Sequence, residues 1–283
     1  MLAIYHSKDL DGFTSGAIIK KKYPEAILIG YDYGDKIKLK IKNEPIIMAD
    51  VSFPMEKMFE ISKSSNNQLT WIDHHISAIN KYENFEHKNF CNAILKNGIS
   101  ACELTWNYLF PKIEMPLAVK LLGEYDTWRN QDIYNWENMV LPFQFGMKLY
   151  CNGPENFPVE VFTDINLVYS IINEGKIILK YQNQINEIQC KKSSFEFDFC
   201  GFKAICLNGG GFNSDVFKSV FKEEKHDIMI PFQFNGKKWN FSLYTTKDNV
   251  DCSELAIRMG GGGHKKAAGF EVDDIREVFG NLI

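Results

Sequence analysis

Features that would tie this chain together by cross-links, seat it in a membrane or fix it on a long polyanion are scarce. Its seven cysteines, Cys91, Cys102, Cys151, Cys190, Cys200, Cys206 and Cys252, are odd in number, and none is spaced C-x-x-C. Neither a disulfide framework nor a zinc ribbon is indicated. Most of these cysteines read as small buried hydrophobes. A run of about 18 apolar residues is also missing, which excludes an obvious membrane-spanning helix. The opening Met1-Leu2-Ala3-Ile4-Tyr5-His6 lacks the basic start and apolar stretch of a leader, so a cytoplasmic setting without membrane partners is expected. Excess positive charge is absent as well, the formal net charge being -4. Apart from short clusters at Lys20 to Lys22 and Lys36 to Lys42, the basic residues are scattered. That argues against a tight binder of long duplex and leaves room for a small phosphorylated substrate in a local pocket. No internal repeat and no low-complexity stretch stands out.

What is present is a long chain with ample material for cores. Its 283 residues, 45% of them hydrophobic, suit two domains better than one. In the first half, short apolar runs alternate with helical patterns. Leu2 to Tyr5, Ala26 to Tyr31, Pro45 to Ala49 and Leu69 to Ile72 read as strands. Gly12 to Lys22, Pro54 to Ser62, Ser100 to Phe110 and Pro116 to Glu124 read as helices, with Ser100 and Glu103 spaced as a capping box. Such alternation predicts an α/β fold: a parallel sheet with helices on both faces. Residues 164–192 carry a long helical pattern interrupted by Gly175 and are expected to connect two domains, 1–163 and 193–283. In the second, Phe195 to Leu207 and Ile228 to Thr245 read as strands turning at Gly201 and Asn235-Gly236. Helical segments are expected at Ser214 to Phe221 and Ser253 to Met259. The tail contains the run Gly260 to Gly263, then His264.

Ionisable groups fall where the strands end. His6, Asp9 and Asp11 follow the first strand, Asp50 the third, and Asp73, His74 and His75 the fourth, while Asp126 closes a helix. In an open parallel sheet, groups just past the C-terminal strand ends converge on one crevice. Each alone has an ordinary reading: Asp11-Gly12 as a turn, Asp50 as a helix cap, His74-His75 as polar core or surface. Together they would be costly to bury without a cation. Mixed imidazole and carboxylate donors suit Mn²⁺, Fe²⁺ or Zn²⁺ better than an all-oxygen Ca²⁺ site. Two such ions sharing a carboxylate can activate water and neutralise a phosphoryl group.

These residues resemble the DHH phosphoesterase superfamily, in the branch with a C-terminal DHHA1 domain. The first motif resembles His6-Ser7-Lys8-Asp9-Leu10-Asp11-Gly12, the second Ala49-Asp50, the third Asp73-His74-His75, and a fourth acidic position Asp126 in Gly123-Glu124-Tyr125-Asp126. Only Ser7 and Lys8 separate His6 from Asp9, where many members have three residues. The DHHA1 signature resembles Gly261-Gly262-Gly263-His264-Lys265-Lys266-Ala267-Ala268-Gly269. The resemblance implies an N-terminal DHH catalytic domain (1–163), a helical linker (164–192) and a smaller α/β DHHA1 substrate-binding domain (193–283). It implies two divalent ions, Mn²⁺ first, with Mg²⁺, Co²⁺ or Fe²⁺ as alternatives. His6, Asp9 and Asp50 would hold one ion; Asp11, Asp50, His74 and Asp126 the other. His75 would face the substrate as contact or proton donor, and Asp73 would accept a proton from a ligand imidazole and orient it. Gly261, Gly262, Gly263, His264 and Lys265, with Arg258 just before them, would bind the substrate end remote from the chemistry; a bare glycine run reads otherwise as a flexible loop. Tyr244 could stack on a base; the ordinary reading is a core or surface tyrosine. The implied activity is hydrolysis of short oligonucleotides or linear dinucleotides to mononucleotides, in the style of the short-oligoribonucleotide phosphodiesterases. A 3′-phosphoadenosine phosphate phosphatase, or a non-catalytic nucleotide-binding regulator, are the alternatives. The partner is then a short nucleic acid or dinucleotide, and a homodimer is left open.

Overall fold

A computed structural model describes residues 1–33, 35–36 and 43–280. Residues 37–42, most of the second lysine cluster, therefore lie outside the described residues. The chain divides into two compact units, Met1–Leu179 and Lys180–Ile283.

The first unit is built on five parallel strands: β1 (Leu2–His6), β2 (Ile27–Tyr31), β3 (Ile46–Ala49), β4 (Leu69–Asp73) and β5 (Asn92–Leu95). They are arranged in the order β2-β1-β3-β4-β5. Alternate side chains of the central strands go to opposite faces, and both faces are covered, as parallel sheets require. On one face Leu2, Ile4, Ile46, Met48, Leu69 and Trp71 pack with α2 (Met55–Ser64) and α3 (Ile76–Glu83). On the other, Ala3, Ile47, Ala49 and Ile72 pack with α1 (Leu10–Lys22), α4 (Ala101–Leu109) and α5 (Leu117–Asp126). Short α6 (Ile133–Asn135) and then α7 (Leu141–Tyr150) follow, and α8 (Ile165–Ser193) contains the boundary between the units.

The capping box at Ser100 and Glu103 forms as its spacing predicts. Pro54 and Pro116 occupy N-cap positions, one residue before the first helical turn. The edge strand β5 and helices α3 and α7 are additions to the sequence expectation. β5 is four residues long, with none of them fully buried, so its apolar signal is weak.

The second unit holds a six-stranded mixed sheet: β6 (Ser194–Phe199), β7 (Phe202–Asn208), β8 (Ile228–Phe234), β9 (Trp239–Tyr244), β10 (Gly262–His264) and β11 (Ala267–Val272), in the order β10-β11-β9-β8-β7-β6. Only β7 and β8 pair in parallel. Helix α9 (Cys252–Arg258) packs against it, and α10 (Arg276–Phe279) closes the described chain. The glycine run is a loop only in part: Gly260 lies in a turn, while Gly262 and Gly263 lie in β10, paired with Gly269 and Ala268. A β-carbon on Gly261 would stand 2.1 Å from the Gly269 carbonyl oxygen. Close backbone approach within the hairpin thus accounts for that glycine without any ligand. Segment 214–219 is a 3₁₀ turn rather than an α-helix. Of the cysteines, Cys200 is exposed and Cys91 half-buried, while the other five are buried. No helix among the described residues is long and apolar enough to cross a membrane.

Candidate metal centre

Three neighbouring central strands deliver the donors. β1 ends in His6, and the next residues lead directly into α1, whose N-cap is Asp9. The Asp9 side chain accepts from the Gly12 amide at 2.9 Å. Helix and strand meet so closely that a β-carbon on Gly12 would lie 2.0 Å from the His6 carbonyl oxygen. The glycine of the first motif is therefore what lets Asp9, Asp11 and His6 share one corner. β3 ends at Ala49, and the next residue, Asp50, is held at φ 62°, in the left-handed region. Aspartate is among the few non-glycine residues that tolerate this region, and such strain persists only where the surroundings over-determine it. β4 ends in Asp73, and α5 contributes Asp126.

The donor atoms of His6, Asp9 and Asp50 lie within 4.8 Å of one another, as do those of Asp11, His74 and Asp126 and those of Asp50, His74 and His75. His6 is thus brought in despite its short spacing to Asp9; its Nδ1 lies 2.7 Å from Asp9 Oδ2 and 3.5 Å from Asp50 Oδ2. His74 Nε2 faces Asp50 at 3.3 Å, Asp126 at 3.3 Å and Asp11 at 3.6 Å. Two donors each about 2.1 Å from one ion stand roughly 3.0–3.5 Å apart. The spacing around His74 suits atoms that share a cation. Among the described residues, both Asp50 carboxylate oxygens, His74 Nε2 and Asp126 Oδ2 are buried without a hydrogen-bond partner. Buried polar atoms are otherwise almost always satisfied, so these residues fit a divalent metal ion.

The electrostatics agree. Burial, then the neighbouring Asp11 and Asp50, push the Asp126 carboxyl up to about 9. Asp50 is raised well above the carboxylate range, by burial first and Asp11 second. Burial works to lower His6, but the Asp50 and Asp9 carboxylates beside it outweigh that and carry it up to about 10. Without a cation, this many carboxylates in one buried corner cannot all ionise.

Asp73 serves a different imidazole from the one expected. Its Oδ1 accepts from the His74 and His75 amides at 2.7 and 3.0 Å and stands 2.7 Å from His75 Nδ1. It therefore orients His75 rather than His74, whose backbone alone it holds. The bond to Asp73 raises the His75 pKa, outweighing burial. With Nδ1 so engaged, Nε2 is the ring nitrogen that Asp73 does not hold.

Sequence reasoning missed the support behind Asp11. Its Oδ2 and Oδ1 accept from the Ala101 and Cys102 amides at 2.9 and 2.7 Å. The carboxylate thus sits on the N-terminus of α4, where free amides and the helix dipole favour negative charge. The α4 cap is braced in turn: Glu103 Oε2 accepts from Ser100 N at 3.1 Å and from Arg129 Nη2 at 2.7 Å. Asp32 was also missed. It follows β2 as the other acids follow their strands, and its Oδ1 lies 3.5 Å from His6 Nε2. The rule that located the other donors finds it too.

The glycine-tail residues lie in the second unit. Arg258 ends α9, Gly261 precedes β10, Gly262, Gly263 and His264 form β10, and Lys265 begins the turn to β11. Tyr244 ends β9, half-buried.

No protein-family profile matches the chain. An uncharacterised protein of Acanthamoeba polyphaga mimivirus is 26% identical over 314 residues, covering 97% of this chain and 68% of the relative. The oligoribonuclease NrnB of Bacillus subtilis is 22% identical over 302 residues, covering 99% and 75%. Among solved structures, the DHH domain of a member of the s1p family of ribosomal proteins aligns with TM-score 0.59 at 12% identity, over 95% of this chain and 81% of that one. The chain has the DHH fold. A pGpG-specific phosphodiesterase from Vibrio cholerae shares it, with TM-score 0.56 at 14% identity over 98% and 94% of the two chains. Both units of this chain fall within that last alignment, since it covers nearly the whole chain.

Proposed function

We propose that this DHH protein is a divalent-metal-dependent phosphodiesterase that hydrolyses short oligonucleotides or linear dinucleotides to mononucleotides. The observation that carries the proposal is the convergence of unpartnered buried donors from Asp50, His74 and Asp126 at the ends of neighbouring strands and a helix. The name of the Bacillus subtilis relative, an oligoribonuclease, supports the choice of a short RNA.

In this reading His6, Asp9 and Asp50 would hold one ion, and Asp11, Asp50, His74 and Asp126 would hold the other. Divalent ions bound there, Mn²⁺ foremost, would supply Lewis acidity and make water more acidic. The protein's own part begins with position: Asp11 is fixed by two amides, so its geometry is set before metal arrives. Asp73 holds His75 Nδ1, keeps that imidazole protonated to higher pH and leaves Nε2–H to donate to the departing oxygen. Arg258, Gly261, Gly262, Gly263, His264 and Lys265 are proposed to hold the far end of the substrate.

The test is a panel of dinucleotides, RNA and DNA of two to ten residues, and 3′-phosphoadenosine phosphate, with products resolved by mass. Mononucleotides should appear with Mn²⁺, disappear with chelator, and be absent with Asp50→Asn. Folded protein that hydrolyses none of the panel with any divalent ion would overturn the proposal, and turnover of 3′-phosphoadenosine phosphate alone would replace the substrate.

A further inference from the structure

The C-terminal end of α5 carries a residue that folding does not ask for. After Asp126 the helix closes with Thr127, and the amides of Trp128 and Arg129 bond back to the carbonyls of Tyr125 at 3.2 Å and Glu124 at 2.9 Å. This is the Schellman pattern, in which the residue at Trp128's position takes a left-handed conformation and is usually glycine. Trp128 has φ 54°. A bulky residue there is a true conformational outlier. The strain is held from both sides, by the helix end and by the ion pair of Arg129 with buried Glu103.

Nor does the indole serve as core. It is 53% exposed. Trp136 meets it at 5.0 Å and 65°, and Tyr125 at 6.2 Å and 61°. Both contacts are edge-on, whereas Tyr125 and Trp136 stack on each other nearly parallel, at 4°. Among the described residues no ring lies flat on Trp128. The two aromatic neighbours thus brace an indole whose flat surface has no stacking partner. Only Thr127 separates it from Asp126, a backbone span of at most about 7 Å.

We propose that Trp128 is a stacking platform for a nucleobase of the substrate, beside the centre that handles its phosphate. The inference rests on the phosphodiesterase reading and deepens it: the ligand is a nucleotide with an aromatic base, taken without regard to base identity. Stacking of this kind is sequence-tolerant because every base presents a π-face.

The test compares a linear dinucleotide with the same phosphodiester lacking its bases. The parent should favour the base-bearing substrate in KM, by about 5- to 150-fold, the range of a single base stack. Trp128→Gly should erase most of that preference, and Trp128→Phe should keep most of it. Because the position suits glycine, Trp128→Gly should melt at or above the parent temperature. A preference unchanged in Trp128→Gly, or a Trp128→Gly chain that fails to fold, overturns the proposal. Equilibrium dialysis of the unhydrolysed dinucleotide separates the two readings. If the parent binds it but never cleaves it, and Trp128→Gly binds at least 5-fold more weakly, the platform stands while the phosphodiesterase falls.

Discussion

Asp11 and Asp50 are both buried, both face His74, and should respond oppositely to substitution in metal-free protein. Asp11 is 3% exposed and satisfies two amides at the start of α4. Asp50 is 1% exposed, and neither of its oxygens has a hydrogen-bond partner among the described residues. Asp11→Ala strands both amides in the interior, whereas Asp11→Asn removes the same charge and keeps one acceptor. The difference between the two variants isolates one buried unsatisfied donor, about 1–3 kcal/mol. Relative to the parent, Asp11→Ala risks about 2–6 kcal/mol from its two amides, less whatever is regained by relieving repulsion with Asp50. Asp50→Asn retains the tolerance for φ 62° and removes a carboxyl that burial disfavours. It should be as stable as the parent or more so. Urea unfolding in excess chelator, followed by far-ultraviolet circular dichroism, reads these differences through the midpoints. All three substitutions should abolish metal-dependent turnover. Asp11→Ala matching Asp11→Asn within about 0.5 kcal/mol, or Asp50→Asn proving the less stable, would refute the assignment of Asp11 as the braced carboxylate and Asp50 as the unbraced one.

Acidity supplies a second expectation. Asp126 lies at about 9 against an ordinary 3.8, so rising pH favours the unfolded chain, where that carboxyl ionises easily. His6, at about 10 against 6.5, contributes stability fully present below 6.5 and lost as pH rises toward 10. Both act in one direction: the metal-free melting temperature should fall from pH 6.5 to 9, and the gain on adding Mn²⁺ should grow across the same range. Asp73→Asn should lower kcat by about 10²- to 10⁴-fold and move the alkaline limb of the pH–rate profile to lower pH, since the carboxylate raises His75. Gly12→Ala drives a β-carbon to 2.0 Å from the His6 carbonyl. It should cost about 1–3 kcal/mol or more and weaken metal binding in isothermal titration, with Gly16→Ala as the comparison, where the nearest atom is a Pro154 side-chain carbon at 3.0 Å.

Much of the first unit is legible in the sequence because its central strands are buried on both faces. Continuous apolar runs such as Ile46-Ile47-Met48-Ala49 announce themselves, and the acids beyond them follow from sheet topology. The capping box was equally local, a matter of two residues in one turn. What spacing could not show is who holds whom. Asp11 reaches the α4 amides across some ninety positions of chain, and Asp73 selects His75 over His74 by a ring orientation that neighbouring histidines do not reveal. Trp128 was equally silent, since an isolated tryptophan after an acid carries no sign of the backbone conformation that makes it unusual. The glycine tail misled in the other direction: a run that reads as a loop is partly a strand whose small residues let two backbones approach.

The donors around His74 have a mechanical consequence besides the chemical one. Asp11, His74 and Asp126 belong to segments remote in sequence, brought together within the first unit by the sheet, by packing and by the α4 bond to Asp11. A cation among them would fasten these segments as a reversible cross-link, restricting the unfolded chain as a covalent bridge does while remaining removable by a chelator. Occupancy would then be written into the lifetime of the fold, so that resistance to a protease becomes a gauge of how much metal the protein carries.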